Sequence, residues 1–278
     1  MIFASCKNDD DNQGFGFQGN IDWAKTYGGS QEDFARSVLQ TLDGNILIFG
    51  NSKSDDGDIA DKTSEVSDYW LFKIDMKGTV LWSKTYGGSG EDVGQKVIQT
   101  PDGGYAIVGY SKSDDLDASN NEGQHDNWIL KLDSNGNILW EKSFGYEGHD
   151  HAYSVIGTSD GGFFMTGFLD ITASEGEGST VRNNRHGIGE FWCHKLDANG
   201  NIEWRNYFGG TNNDRSYDVV EANDGGFIVA GFSESNDFDI SNNHGSYDYW
   251  VVKLNIIGEI VWEKSIGGSE IDQARSII

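Results

Sequence analysis

The chain has one proline, Pro101, and two cysteines, Cys6 and Cys193, in 278 residues. Two thiols are too few for a disulfide framework, so packing and hydrogen bonds must hold the fold. Basic residues are also scarce: 20 Lys and Arg stand against 45 Asp and Glu, a net charge of −25. Nucleic-acid affinity rests on Lys and Arg displacing counterions from phosphates, so this charge argues against a DNA or RNA partner. No apolar run approaches the roughly 18 residues of a membrane-spanning helix. Hydrophobic residues amount to 36 %, yet aromatics reach 13 % and glycine numbers 38. Large rings and tight turns stand in for aliphatic bulk, and the composition is not that of a disordered chain.

What is present is a repeat. Trp23, Trp82, Trp140, Trp204 and Trp262 open the similar phrases WAKTYGGS, WSKTYGGS, WEKSFGYE, WRNYFGGT and WEKSIGGS, at intervals of 59, 58, 64 and 58 residues. Each unit contains two hairpin signals. The first is Asp43-Gly44-Asn45, Asp102-Gly103-Gly104, Asp160-Gly161-Gly162 or Asp224-Gly225-Gly226, flanked by apolar runs. The second is the turn closed by Gly78, Gly136, Gly200 or Gly258 just before the next Trp. Four short strands per unit follow, in the second unit over 95–100, 105–111, 127–133 and 137–143. Strands such as Trp128-Ile129-Leu130 are apolar at successive positions, as expected of a sheet covered on both faces.

Repeated four-stranded antiparallel units stacked face to face describe an all-β fold, a β-propeller. The period-2 patterning excludes helical repeats, and about 58 residues with two hairpins exceeds one coil of a β-solenoid. The blades are expected at about 33–86, 92–144, 150–208 and 214–266, with an incomplete fifth made of residues 20–27 and 272–278. The middle strands of that fifth blade are lacking, so the chain reads as truncated at its C-terminus. In a four-stranded meander both hairpins fall on one side of the disc. The GGS link and the long loop between second and third strands fall on the other.

The phrases WAKTYGGSQEDFARSV, TPDGGYAIVGYSKS and DYWLFKIDMKGTVLW resemble the repeated β-propeller units of secreted and lipid-anchored proteins of Bacteroidota, over residues 20–278. The resemblance implies a propeller and a cell-envelope address; it carries little about ligand, since the shared residues read as structural.

At the N-terminus, Ala4-Ser5-Cys6 resembles the end of a bacterial lipobox, with Cys6 as the lipidated residue, although only five residues precede it. The alternative is a lone cysteine in a cytosolic chain end. Residues 1–19 form a separate segment, a lipobox remnant and a polar acidic tether expected to stay extended. Lys7-Asn8-Asp9-Asp10-Asp11 resembles an acidic export tag. The expectation is an outer-membrane lipoprotein, exposed at the cell surface and held to the membrane by that anchor.

The long loops carry repeated carboxylates at Asp56, Asp58 and Asp68, at Asp115, Asp117 and Asp126, and at Asp237, Asp239 and Asp248. They are candidate calcium ligands, since that ion takes six to eight oxygens; the competing reading is that Asp stabilises turns through its own backbone. No other cofactor is required. Asp33, Asp92, Asp150, Asp214 and Asp272, which recur after the GGS link, read as caps of that link. The third unit differs: it is longer and carries His149, His151, Arg182, Arg185 and His186. These are candidates for a ligand-binding surface, and His-x-His would ligate zinc if a third ligand approached. Without one, they are ordinary surface residues.

No nucleophile elbow, phosphate loop or dinucleotide fingerprint is present. The reading is a non-catalytic binding or scaffolding module that engages a glycan or protein through its acidic loop face. The alternatives are a carboxylate-dependent glycan hydrolase on that face and a purely structural spacer.

Overall fold

The computed structural model describes residues 21–59, 61–172 and 189–278, and its described residues hold sixteen strands in four separate antiparallel sheets. Blade 1 comprises β1 (Asp33–Gln40), β2 (Ile46–Ser52), β3 (Asp68–Ile74) and β4 (Val80–Tyr86). Blade 2 comprises β5 (Asp92–Gln99), β6 (Tyr105–Ser111), β7 (Asp126–Leu132) and β8 (Ile138–Phe144). Blade 3 comprises β9 (His151–Gly157), β10 (Phe163–Leu169), β11 (Glu190–Leu196) and β12 (Ile202–Phe208). Blade 4 comprises β13 (Asp214–Glu221), β14 (Phe227–Ser233), β15 (Asp248–Leu254) and β16 (Ile260–Ile266). Within each sheet the strands pair in chain order, the meander of a β-propeller blade. Cys6, the tether, Arg182, Arg185 and His186 lie outside the described residues.

In blade 2 the first strand begins at Asp92, three residues before the start at 95 that the apolar pattern marks. The reason is a β-bulge. In β1 the partners run Ala35↔Gly50 and then Ser37↔Phe49, leaving Arg36 unpaired. The same skip leaves Gln95 unpaired in β5, Tyr153 in β9 and Tyr217 in β13. Polar residues ahead of the bulge break the period-2 signal, although the ladder continues through them. The bulge presses one carbonyl into the neighbouring strand, where only glycine fits: a Cβ on Gly231 would come within 1.9 Å of the Arg215 carbonyl oxygen.

The core lies between blades. Trp128, Trp192 and Trp250 of β7, β11 and β15 are fully buried, and the Tyr69 ring packs at 4.7 Å, tilted by 50°, against Trp128 of the next blade. Burying such rings on both sides of each sheet supplies the main driving force, about 25 cal/mol per Å² of apolar surface. The tryptophans that mark the repeat sit farther out and lock one blade to the next. Trp204 donates from Nε1 to the Ile256 carbonyl at 3.0 Å, over the turn glycine Gly258 of blade 4.

The terminal segments repeat these contacts at the two ends of the row of blades. Trp23 donates to the Met76 carbonyl at 2.9 Å and Tyr27 to that of Gly78 at 2.9 Å, as Tyr86 does to Gly136 at 2.7 Å. At the other end the amide of Asp272 donates to the Tyr247 carbonyl at 2.7 Å, as that of Asp214 does to Gly189 at 2.8 Å. Neither residues 21–27 nor 272–278 form a strand.

The outer lock yields a paired prediction. Gly258 (φ +80°) and Gly44 (φ +82°) share a left-handed backbone, but a Cβ on Gly258 would meet the Trp204 ring at 2.7 Å while one on Gly44 meets nothing within 4 Å. Gly44→Ala is expected to cost about 1 kcal/mol and Gly258→Ala about 2–3 kcal/mol in urea unfolding. Equal losses would show that Trp204 gives way freely.

Candidate functional site

On the loop side of the disc, each GG link is held by carboxylates. Asp33, Asp92, Asp150, Asp214 and Asp272 each accept the amide of the residue four positions earlier, at 2.7–3.0 Å, as the sequence suggests for link caps. Asp56, Asp115 and Asp237 accept the link amides of Ser30, Ser89 and Thr211 at 2.7–2.9 Å. Asp58, Asp117 and Asp239 accept those of Gly28, Gly87 and Gly209 at 3.0–3.3 Å. Asp68, Asp126 and Asp248 are buried at the heads of β3, β7 and β15. The nine candidate calcium ligands thus divide into six that fasten the link before their own blade and three that start a strand beside the link after it, so each unit's set is split between two links.

Consecutive blades meet through paired carboxylates. A Cβ on Gly87 would fall within 2.5 Å of Asp92 Oδ2 and 2.9 Å of Asp68 Oδ1, so both groups lie against this one glycine. Burial, countered by hydrogen bonds from Ser64, pushes the Asp68 carboxyl up to about 7. Burial likewise raises Asp92 and Asp214 to about 6 against their serine partners. On the hairpin side the balance reverses. Burial opposes ionisation of Asp102 and Asp160, but Lys131 and Lys195, with Thr100 and Thr158, outweigh it and hold both at about 2.

The four bulge positions converge at the axis. Arg36, Gln95, Tyr153 and Tyr217, together with Arg275 at the equivalent place after Asp272, line one polar cavity of about 520 Å³. Lys96, Tyr110, Asp218 and Ser276 complete it. The Arg275 guanidinium lies 4.1 Å above the Tyr217 ring, which lies 5.0 Å from that of Tyr153. Burial raises the Tyr153 phenol to about 12, which keeps it a hydrogen-bond donor at neutral pH. Asp218 is already engaged: it accepts from Ser154 at 2.7 Å, Ser276 at 3.0 Å and Lys96 at 3.5 Å. The cavity lining is thus basic within an acidic protein. A larger cavity of about 670 Å³ opens at the hairpin side, but its Thr100 and Lys131 are bonded to Asp102 and its Glu221 to Ser159.

The structure brings His149 and His151 together and adds His125, which the sequence reading missed. One nitrogen of each lies within 4.8 Å of one from each of the others. A parallel bridge between the residues before β7 and β9 pairs His125 with His149, 24 positions apart, and their Nδ1 atoms are 2.8 Å apart. His151 stacks on Tyr110 at 3.8 Å and 13°. Burial, then His125, His149 and Arg215, lower His151 to about 3; burial and His149 also lower His125. Cys193 is buried, as its strand suggests, with its thiol pushed up to about 12 by burial.

These shifts predict a pH profile. Carboxyls raised by burial, Asp68, Asp92 and Asp214, contribute stability that is complete below about pH 4 and lost as pH rises through 6 to 7. Depressed carboxyls, Asp102 and Asp160, contribute stability present above about pH 4 and lost as pH falls toward 2. Melting temperature is therefore expected to peak near pH 4–5 and to fall by on the order of 5 °C by pH 8, and Asp68→Asn to reduce that fall. A thermal melt series that rises steadily to pH 8 would contradict it.

No protein-family model matches the chain, and no curated protein matches it. Among solved structures it is similar to a protein of unknown function from Bacteroides caccae, at 14 % identity over 83 % of this chain and 81 % of that one, TM-score 0.37. It is also similar to BamB from Moraxella catarrhalis, at 14 % identity over 84 % of this chain and 65 % of that one, TM-score 0.38. A levansucrase variant of B. megaterium shares 9 % identity over 90 % of this chain and 70 % of that one, TM-score 0.40. These are loose likenesses of chain path, and the propeller assignment rests on the four sheets themselves.

Proposed function

We propose that this protein is a non-catalytic binding module that takes an anionic ligand, such as an acidic glycan, at the link end of the propeller axis. One observation supports this above all: the bulge of each of the four blades aims its unpaired side chain, Arg36, Gln95, Tyr153 or Tyr217, into one cavity, and Arg275 joins them from the equivalent place after Asp272. A repeated scaffold whose convergent position varies among Arg, Gln and Tyr suits recognition better than support. Guanidinium groups bind carboxylates in bidentate fashion, and tyrosine rings offer flat faces with a polar tip. At physiological ionic strength the overall charge is screened beyond about 8 Å, so the local basic lining governs a small ligand.

The hydrolase alternative needs two carboxyl groups flanking a bond. Among the described residues that line the cavity only Asp218 carries one, and Ser154, Ser276 and Lys96 hold it. The Cys6 pattern supports an outer-membrane lipoprotein that presents this module at the cell surface.

Glycan-array retention tests the reading. Acidic glycans are expected to be retained without cleavage, and Arg36→Ala with Arg275→Ala to weaken retention by tenfold or more at unchanged melting temperature. Turnover abolished by Asp218→Asn would favour the hydrolase, and no retention of any glycan would overturn the assignment. Separately, the native host is expected to incorporate a palmitate analogue into the protein and to lose that label in Cys6→Ala; labelling unchanged by the substitution would remove the anchor.

A further inference from the structure

Every junction between blades brings three backbone positions together: one just before the third strand of a blade, and two flanking the link aspartate of the next. At the junction of blades 1 and 2 they are Ser67, Glu91 and Val93; at blades 3 and 4, Gly189, Asn213 and Arg215; after blade 4, Tyr247, Ile271 and Gln273. Only the junction of blades 2 and 3 fills all three places with histidine, using three of the six histidines in the chain. The scaffold itself supplies the comparison, since equivalent positions elsewhere need no imidazole for the strands to pair.

We propose that His125, His149 and His151 bind a divalent transition-metal ion of the zinc class across the junction of blades 2 and 3. Imidazole nitrogen is a preferred donor for such ions, whereas calcium and magnesium take oxygen. Tetrahedral zinc with ligands at about 2.0–2.1 Å requires donor nitrogens roughly 3.4 Å apart. The Nδ1 atoms of His125 and His149, at 2.8 Å, must part slightly, and the widest separation, within 4.8 Å, must close by little more than an ångström. His149 is exposed and free to make that adjustment, while His125 and His151 are half-buried and fixed by packing.

The surroundings suit a metal ligand set. Among the described residues, the buried Nε2 atom of His151 has no hydrogen-bond partner. Glu91 stands 3.7 Å from His125 Nε2, as a carboxylate does behind a metal-bound histidine, and the Tyr153 hydroxyl lies 3.4 Å from His151 Nδ1. Lys112 and Arg215 act on the same rings with the opposite sign and weaken the site without blocking it. The exposure of His149 leaves a fourth position to water. Tyr110 and Tyr153 are shared with the axial cavity, so a bound ion braces two of its walls. The site rests on the histidine cluster alone and does not depend on the axial ligand.

The test uses tag-free, metal-stripped protein and zinc chloride at pH 7. Calorimetry is expected to show one equivalent bound per chain, and a hundredfold excess over Kd to raise the melting temperature by about 5 °C or more. His149→Ala, at an exposed position, is expected to leave the fold intact while weakening binding at least tenfold and abolishing the thermal shift; His244→Ala, at an exposed histidine elsewhere, should change neither. Cobalt(II) is expected to give visible ligand-field absorption that His151→Gln removes. Absence of stoichiometric zinc binding, or binding of equal strength in His149→Ala, would overturn the proposal.

Discussion

The angle between neighbouring blades depends on a clamp at the link. Each crossing from the outermost strand of one blade to the innermost strand of the next passes through a glycine, and the groups around it leave no room for a Cβ. At Gly87 the carboxylates of Asp68 and Asp92 belong to different blades yet bear on one backbone atom, and Asp115 and Asp117 fasten the link amides from below. Buried aromatic rings supply most of the free energy, but rings alone permit sliding. The directed amide-to-carboxylate bonds fix the register in which those rings meet, and with it the place where the inner strands converge.

This arrangement changes what the acidity means. A net charge of −25 reads at first as a field presented by the loops. Much of that acid is already engaged, bonded to link amides or, on the hairpin side, to the nearly buried Lys73, Lys131, Lys195 and Lys253. Three of the other cations, Arg36, Lys96 and Arg275, gather at the axis. The charge at the candidate site is therefore opposite in sign to that of the protein as a whole.

The architecture was legible because it is written four times. Trp phrases, Asp-Gly turns and apolar runs recur at a fixed spacing, and each corresponds to a strand, a hairpin or a lock between blades. The candidate site was legible only in part. The histidine at 125 reaches 149 through a parallel bridge between blades, a contact that no local pattern announces. The bulge residues were hidden because Arg36, Gln95, Tyr153 and Tyr217 vary from Arg to Gln to Tyr, and a position that varies gives no repeat signal. The loop aspartates carry two readings at once: alternate carboxylates invite calcium, and in the structure one reaches the link serine or threonine and the next the link glycine.

The unpaired residue of each inner strand lies outside the ladder, so no cross-strand register runs through it. Exchanging that side chain alters the wall of the central opening while every rung of the sheet stays as it was. Evolution, or an engineer, thus has an interchangeable set of letters on an unchanging frame, and related chains with new tastes can arise by rewriting those letters alone.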